Sequence, residues 1–414
     1  MTSPPPLRRN RDFVLLWTGQ ALSTLGNRVS SIAYPLLVLA LTGAPAKAGF
    51  VGFAASLPYP LFVLPAGVLL DRWNRRRVMI ACDAGRALAL TLLAVALALG
   101  DVSYLLVAAV AFADGTLFTF FNIAEAGVVG QVVPAARLPE AMARDAARYS
   151  AAWLAGPSLG GLLFGLSRLL PFVVDAVSYA FSVATLLAMR TPFQQERTEP
   201  REPLRAEVTA GFRWLWRHAF LRTCAVIFAI GNFVGGALFL AIVVVARRDG
   251  LAPGAIGLLI AALGGVGLAG SLAAPWLLRR LSLRTIVAGY EWLGVALIAF
   301  LVTPNAYVLA ATFAPYFFFT PTLNSAIIGY RIAIVPDRLQ GRVNSVARFL
   351  ANSAAPLGPL AAGALLEATS ERATVAIFAA LLATLALYAT TSAAIRAAPS
   401  LDDLATETGR APAA

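Results

Sequence analysis

Charged residues are scarce in this chain. They make up 13% of its 414 positions, whereas hydrophobic residues make up 59%. A soluble domain of this length would need more polar surface to stay dispersed in water, and the apolar residues form runs of the roughly 20 residues that a helix needs to cross about 30 Å of hydrocarbon. The runs lack the alternation of a membrane β-barrel, so the sequence predicts an all-α integral membrane protein.

Cysteine and histidine are nearly absent. The two cysteines, Cys82 and Cys224, lie far apart and imply neither a disulfide framework nor a metal site. The single histidine, His218, leaves no constellation for metal binding or catalysis. The sequence contains no Gly-x-x-x-x-Gly-Lys-Ser/Thr loop, which argues against ATP as the energy source. We therefore expect no cofactor, no metal and no enzymatic activity.

Lysine is also nearly absent, because arginine supplies all of the basic residues except Lys47 in a chain of net charge +12. The arginines form short clusters between the apolar runs, a pattern typical of cytoplasmic loops and not of a nucleic-acid-binding surface. Because the clusters lie in alternate loops, they predict that both termini and the middle segment are cytoplasmic. The segment before the first run has no cleavage site, so we expect a retained first helix.

The apolar runs predict twelve membrane-spanning helices. They lie at about 13–41, 48–70, 78–99, 102–127, 146–167, 171–189, 221–246, 255–278, 285–303, 306–330, 345–368 and 373–395. A polar middle segment divides them six and six. We expect an N-terminal six-helix bundle over 1–190, a cytoplasmic linker with a basic amphipathic helix over 191–220, a C-terminal six-helix bundle over 221–396 and a cytoplasmic tail over 397–414.

The two halves carry matching landmarks. Gly156-Pro157 recurs as Gly358-Pro359, an offset of 202 residues, and Leu69-Leu70 recurs as Leu277-Leu278, an offset of 208. The second register also sets Asp83 opposite Glu291. Halves of this kind are parallel repeats related by an axis along the membrane normal, with the substrate held between them.

The loop between the second and third runs carries a motif. Residues 67–77 read Gly-Val-Leu-Leu-Asp-Arg-Trp-Asn-Arg-Arg-Arg, which resembles the major facilitator pattern Gly-x-x-x-Asp-Arg-x-Gly-Arg-Arg, with Asn74 in place of the later Gly. We interpret it as a cytoplasmic gate in which Gly67 admits a close helix and Asn74 adopts the left-handed turn. Asp71 would cap or pair at a helix end, and the arginines would bridge to acids on adjacent helices (Arg72, Arg75 and Arg76). The alternative is a positive-inside anchor.

A second motif lies in the fifth run. Gly156-Pro157-x-x-Gly160-Gly161 resembles the antiporter motif of major facilitator drug exporters, with Ala152 where that pattern often begins with Gly. The proline breaks one helical hydrogen bond, and the glycines create a flat face on which another helix can rock. The alternative is a kinked packing seam that has no bearing on the direction of transport.

Further residues resemble one bacterial exporter branch, which includes macrolide-efflux and enterobactin-exporter-like proteins. They are Asn10 to Phe13, Leu16-Trp17 and Asp175-x-x-Ser178-Tyr179. The resemblance spans about 10–394 and implies two six-helix pseudo-repeats, the major facilitator fold, in a bacterial inner membrane. It also implies export of an amphiphilic small molecule, such as a drug, an antibiotic or a siderophore, in exchange for protons. We expect a monomer.

Ionisable residues inside the spans are the candidate coupling and gate residues, because charge in hydrocarbon is costly. Arg28 and Asp114 lie at similar depths in spans one and four, so we expect them to pair in the cavity. The alternative is a structural ion pair that has no role in transport. The gate set is extended by Asp83 and Arg86, which are three apart in span three, and by Glu125, which is placed to meet the gate arginines. Glu291 in span nine is a further candidate for coupling.

Two other classes of function remain open from the sequence. An importer or facilitator would share the same fold, and transport in vesicles of known orientation would separate it from an exporter. A scramblase or sensor would not transport a cargo, and it would show no ligand-dependent proton flux.

Overall fold

The computed structural model describes residues 6–191 and 204–399, and within these ranges the chain is helical and contains no β-strand. The expected all-α class is confirmed. The α-helices are α1 (Arg11–Thr42), α2 (Pro45–Ser56), α3 (Pro58–Arg72), α4 (Arg75–Leu99), α5 (Tyr104–Ala126), α6 (Val129–Val132), α7 (Leu138–Leu166), α8 (Leu170–Ala188), α9 (Leu204–Arg217), α10 (Ala219–Arg248), α11 (Pro253–Arg280), α12 (Leu283–Trp292), α13 (Ile298–Val302), α14 (Ala306–Ile334), α15 (Asp337–Ser353), α16 (Leu357–Ala368), α17 (Glu371–Thr391) and α18 (Ala393–Arg396).

Eleven helical stretches of the described residues are long and apolar enough to cross a membrane. The chain is therefore a multi-pass membrane protein. The expected span at about 146–167 is not among the eleven and lies within α7. With 29 residues α7 has the length to cross, but it begins with charged residues and carries the small and polar residues of the antiporter motif. The twelfth span stays a prediction.

Three expected spans are interrupted by breaks in the helix. The second is divided between α2 and α3 at Leu57, next to Pro58 and Pro60. The ninth contains a 3-10 helix over Leu293–Leu297, and the eleventh is divided between α15 and α16 just before Leu357. Hydropathy measures the length of an apolar run and does not register such breaks, whereas a proline lacks the backbone N–H that would continue the helix.

The helices pack into two compact units. Of the described residues, unit 1 contains 6–191 and 250–261, and unit 2 contains 204–249 and 262–399. In unit 1, α1 packs along α7 and α8, and α4 packs against α5 and α8. In unit 2, α10 packs against α14, α15 and α16, and α12 packs against α14 and α17. The bundle boundaries at 190 and 221 stay a prediction.

The helix ends of the two halves repeat at the offsets of the sequence landmarks. The helices α1 and α10, α2 and α11, and α4 and α12 begin 208 residues apart, and α5 and α14 end 208 residues apart. Further along the chain, α7 and α16 end 202 residues apart. The pseudo-repeat therefore extends to helix boundaries, and it sets Asp83 of α4 and Glu291 of α12 at equivalent positions.

The expected amphipathic helix of the linker is α9. Its residues Gly211 and Leu215 are buried, with Gly211 close to the backbone of α15, whereas Phe212 and Trp216 are exposed. The rest of the predicted linker, 192–203, and most of the predicted tail, 400–414, lie outside the described residues.

Candidate transport site

A buried ion pair joins α4 to α5. Arg86 donates from Nε to Oδ1 of Asp114 at 2.8 Å, and its Nη1 lies 3.9 Å from Oδ1 of Asp83. All three residues are at most 8% exposed. Residues 83 and 86 are three apart and therefore share one face of α4, the face that meets α5 and α8. Arg86 thus contacts one acid on its own helix and another on the neighbouring helix.

A third acid approaches the same arginine from α8. Asp175 is fully buried and accepts hydrogen bonds from Ser30 of α1 at 2.5 Å and from Ser178 at 3.2 Å. It lies close enough to Arg86 and Asp114 to interact electrostatically with both. We refer to Asp83, Arg86, Asp114 and Asp175 as the acidic cluster.

Tyr179 connects the acidic cluster to α1. The guanidinium carbon of Arg86 stands 4.0 Å from the centroid of the Tyr179 ring, a cation–π contact. The Tyr179 hydroxyl accepts a hydrogen bond from Nδ2 of Asn27 at 3.2 Å. The aromatic face and the amide hold Arg86 in a defined position among the three acids.

The charges of the acidic cluster do not balance. It contains three carboxylates and one guanidinium, so full ionisation would leave two negative charges without a partner inside membrane spans. Each unpaired charge there costs at least about 2.5 kcal/mol. The arrangement makes these three acids candidate proton-binding groups beside a single arginine.

Arg28 does not pair with Asp114, so the expected cavity pair was wrong. The guanidinium carbon of Arg28 stands 3.9 Å from the centroid of the Trp153 ring on α7, and its backbone packs beside Gly156. The similar depths of the two residues did not determine which way they face. Position 28 of α1 is turned toward α7, whereas the partner of Asp114 comes from α4, which packs directly against α5.

The loop motif ties helix ends together. Arg75 donates to the carbonyl of Gly127 at 3.1 Å, and Arg76 donates to the carbonyls of Leu186 and Leu187 at 3.0 and 2.9 Å. For Arg76 the expected bridge to an acid was wrong. The carbonyls at a helix C-terminus lack intrahelical partners and carry partial negative charge, and both properties favour a guanidinium.

Two other expectations about this motif were also wrong. Asn74 has a φ of −66° and caps α4 by accepting from the Arg77 amide at 3.1 Å, so no left-handed turn is needed. Among the described residues, no atom of another helix lies within 4 Å of the place where a Cβ on Gly67 would stand, so Gly67 admits no close helix here. Arg72 is exposed at the end of α3. Asp71 lies in the last turn of α3, and its side chain is outside the described residues.

Glu125 pairs with an arginine that lies outside the loop motif. Its Oε1 accepts from Nη2 of Arg148 at 3.0 Å, and Arg148 also lies 3.3 Å from Asp145. The side chain of Arg148 is 2% exposed. This arginine was not singled out as a site residue from the sequence. The signal that could have revealed it is the spacing of Asp145 and Arg148, which matches that of Asp83 and Arg86.

The glycines of the antiporter motif bring α7 against α1. A Cβ on Gly156 would meet Arg28, and one on Gly160 would meet the carbonyl of Val29 and the side chain of Ile32. These two positions of α7 therefore require glycine for the observed approach of the helices. The expected flat glycine face is present.

The same motif also brings α7 against α11 within unit 1. A Cβ on Gly161 would come within 3.0 Å of the Cα atom of Gly257 on α11, and a Cβ on Gly257 would meet the carbonyl of Pro157. We refer to Pro157, Gly161 and Gly257 as the glycine seam. Here two helices touch backbone to backbone.

A family profile for transmembrane secretion effectors matches residues 1–412. The chain belongs to this family. Its membership confirms the resemblance to major facilitator exporters that the sequence motifs indicated.

Named relatives and solved structures agree with this family. The multidrug efflux pump Tap of Mycobacterium tuberculosis is 30% identical over 390 residues, covering 88% of this chain and 89% of Tap. Macrolide efflux protein A of Streptococcus pyogenes is 23% identical over 192 residues, covering 46% of this chain and 47% of that protein. A bacterial homologue of the iron transporter ferroportin, in an inward-facing state, is 18% identical with a TM-score of 0.70, covering 94% of this chain and 100% of that one. This last likeness shows the fold alone.

The N-terminal residues that resemble the exporter branch form hydrogen bonds within unit 1. Asn10 caps α1 and donates to the carbonyl of Val132 at 2.8 Å. Asp12 accepts from the backbone amides of Arg190 and Thr191 at 3.1 and 2.7 Å. Both contacts tie the start of α1 to the ends of other helices, which is a structural task.

Proposed function

We propose that this family member is a secondary active exporter that moves an amphiphilic small molecule out of a bacterial cell in exchange for protons. The similarity to the multidrug efflux pump Tap supports drug export. The acidic cluster is the single observation that supports proton exchange, because three acids share one arginine inside membrane spans.

Coupling follows from the ion pair between Asp114 and Arg86, in which the Arg86 Nε lies 2.8 Å from the Asp114 carboxylate. In an alternating-access cycle, a shift of α4 relative to α5 that separates Arg86 from Asp114 would cause this acid to take up a proton. The reverse shift would release the proton on the other side of the membrane.

Cargo contact is assigned to Arg28. Its side chain is half-buried on Trp153, and its Nε has no hydrogen-bond partner among the described residues. A ring face next to a free N–H suits an amphiphile with an apolar body and an acceptor group. This role replaces the expected pairing of Arg28 with Asp114.

The cytoplasmic gate is assigned to the helix ends near the loop motif. This assignment puts the hydrogen bonds of Arg75 and Arg76 and the Glu125–Arg148 pair on the inner side of the membrane, together with Asp71 and Arg72 and with both termini. It follows the bias of the arginine clusters toward one set of loops. In this proposal the protein acts as a monomer.

The direction of transport is tested by accumulation of a macrolide and of a fluorescent lipophilic cation in efflux-deficient bacteria. Cells that produce the protein should accumulate less of at least one probe than cells with an empty vector. A protonophore should abolish the difference, because it removes the gradient that drives exchange. Higher accumulation would identify an importer, and unchanged accumulation of every probe would favour a scramblase or sensor.

A further inference from the structure

Unit 2 contains a buried acid that has no counterion. Glu291 is 0% exposed, and neither of its carboxyl oxygens has a hydrogen-bond partner among the described residues. The titratable groups that face it are the phenols of Tyr290 on its own helix and of Tyr316 on α14. No basic side chain of the described residues stands against this carboxyl.

The charged groups of the neighbouring helices either have other partners or, like Arg372 on α17, are exposed. On α17, Glu371 pairs with Arg248 at 2.8 Å. On α18, Arg396 donates to the carbonyl of Thr391, and on α14, Arg331 donates to Asn344. A carboxylate in such surroundings would have neither solvent nor a counterion, and an ionised acid is costly to bury in that way.

The pseudo-repeat shows which residues of unit 2 stand at the positions that form the acidic cluster in unit 1. Residue 291 is equivalent to Asp83 at the offset of 208, and the same offset sets Gly294 at the position of Arg86 and Thr322 at the position of Asp114. A Cβ on Gly294 would stand 2.9 Å from the hydroxyl of Tyr316. Unit 2 therefore has a phenol and a threonine where unit 1 has an arginine and a second acid.

The span that carries Glu291 is also irregular where its counterpart is regular. The helix α4 is continuous over Arg75–Leu99, whereas α12 ends at Trp292 and is followed by the 3-10 helix Leu293–Leu297. The Tyr316 hydroxyl donates to the backbone carbonyl of Glu291 at 3.3 Å, beside this break. A 3-10 stretch in the middle of a span often marks a hinge.

We propose that Glu291 is a second proton-binding site, which loads and releases one proton per cycle through opening of the 3-10 segment that follows it. The proposal rests on the proposed proton exchange and adds a proton carried by unit 2. The acidic cluster exchanges its proton by moving an arginine, whereas Glu291 exchanges its proton by moving between a dry and a wet environment. Export of one cargo molecule would then use two protons.

A first test is independent of transport. Infrared difference spectra of the purified protein between acidic and alkaline buffer should contain a protonated-carboxyl band that is weaker in Glu291→Gln. In Glu291→Asp the band should shift and not be lost. The matched control is Glu371→Gln, which should leave the band unchanged because Glu371 is partly exposed and pairs with Arg248. A band that is equally strong in wild type and Glu291→Gln would overturn the proposal, whatever the protein transports.

The second test measures the number of protons. In proteoliposomes with an acidic lumen and the membrane potential clamped at zero, each coupled proton multiplies the accumulation of a neutral macrolide by about tenfold per pH unit. Glu291→Gln should therefore accumulate about tenfold less than wild type at a gradient of about one unit. Glu291→Asp should retain the wild-type ratio, and counterflow should persist in both variants.

Accumulation by Glu291→Gln equal to that of wild type would overturn the proposal, since glutamine mimics an acid that never releases its proton. A wild-type protein without pH-driven accumulation would instead contradict the proposed function. The infrared result would still decide whether Glu291 exchanges a proton.

Discussion

Arg86 is the residue whose removal exposes the charge imbalance most directly. In Arg86→Gln the three acids lose their counterion. Protonation of these acids should therefore stabilise the variant more than it stabilises wild type. The thermal unfolding midpoint of the variant should fall below that of wild type in alkaline buffer and approach it in acidic buffer. Loss of one partner of a buried pair typically costs about 3–5 kcal/mol when the remaining charge is uncompensated.

The double variant Arg86→Gln/Asp114→Asn is the control, because it also removes the carboxylate that Arg86 contacts at 2.8 Å. Its thermal unfolding midpoint in alkaline buffer should lie between those of Arg86→Gln and wild type. A fall in the unfolding midpoint of Arg86→Gln that is equal in acidic and alkaline buffer would contradict the charge imbalance of the acidic cluster.

At the scale of elements, two alanine substitutions on α7 should change the stability of the protein in opposite directions. Gly161→Ala should destabilise the protein, because its Cβ would stand 3.0 Å from the Cα atom of Gly257. Gly165→Ala, four residues later on α7, is the matched control, since no atom of another helix in the described part of the chain lies within 4 Å of its Cβ position. Alanine there should raise stability by up to about 1 kcal/mol through helix propensity. Thermal unfolding in detergent measures both, and stabilisation by both substitutions would contradict the seam.

The sequence predicted elements better than it predicted side-chain partners. Apolar runs located the helices, and the loop, antiporter and N-terminal motifs indicated the family, because both signals lie in contiguous residues. The breaks at Leu57 and in Leu293–Leu297 were missed, since hydropathy depends on side-chain composition and contains no information about backbone geometry. The partner of Asp114 was assigned wrongly because depth along a span fixes one coordinate of a side chain and leaves its rotation about the helix undetermined.

At the scale of the whole molecule, the pseudo-repeat carried information that no single motif contained. The offset of 208 was visible from Leu69-Leu70 and Leu277-Leu278, and it recurs in the ends of four helix pairs. The sequence alone showed that Asp83 and Glu291 are equivalent. The structure was needed to show that one acid stands beside an arginine and the other has no partner, because that difference depends on which helices pack together.

In the proposed function, the pairing of Asp114 with Arg86 couples cargo movement to protons. The most direct measurement is accumulation and counterflow of the same macrolide in proteoliposomes with and without an acidic lumen, for wild type, Asp114→Asn and the surface control Glu140→Gln. Wild type and Glu140→Gln should accumulate the macrolide against its gradient when the lumen is acidic. Asp114→Asn should fail to accumulate it yet retain counterflow, because exchange of cargo for cargo needs no proton. Full gradient-driven accumulation by Asp114→Asn would contradict the account.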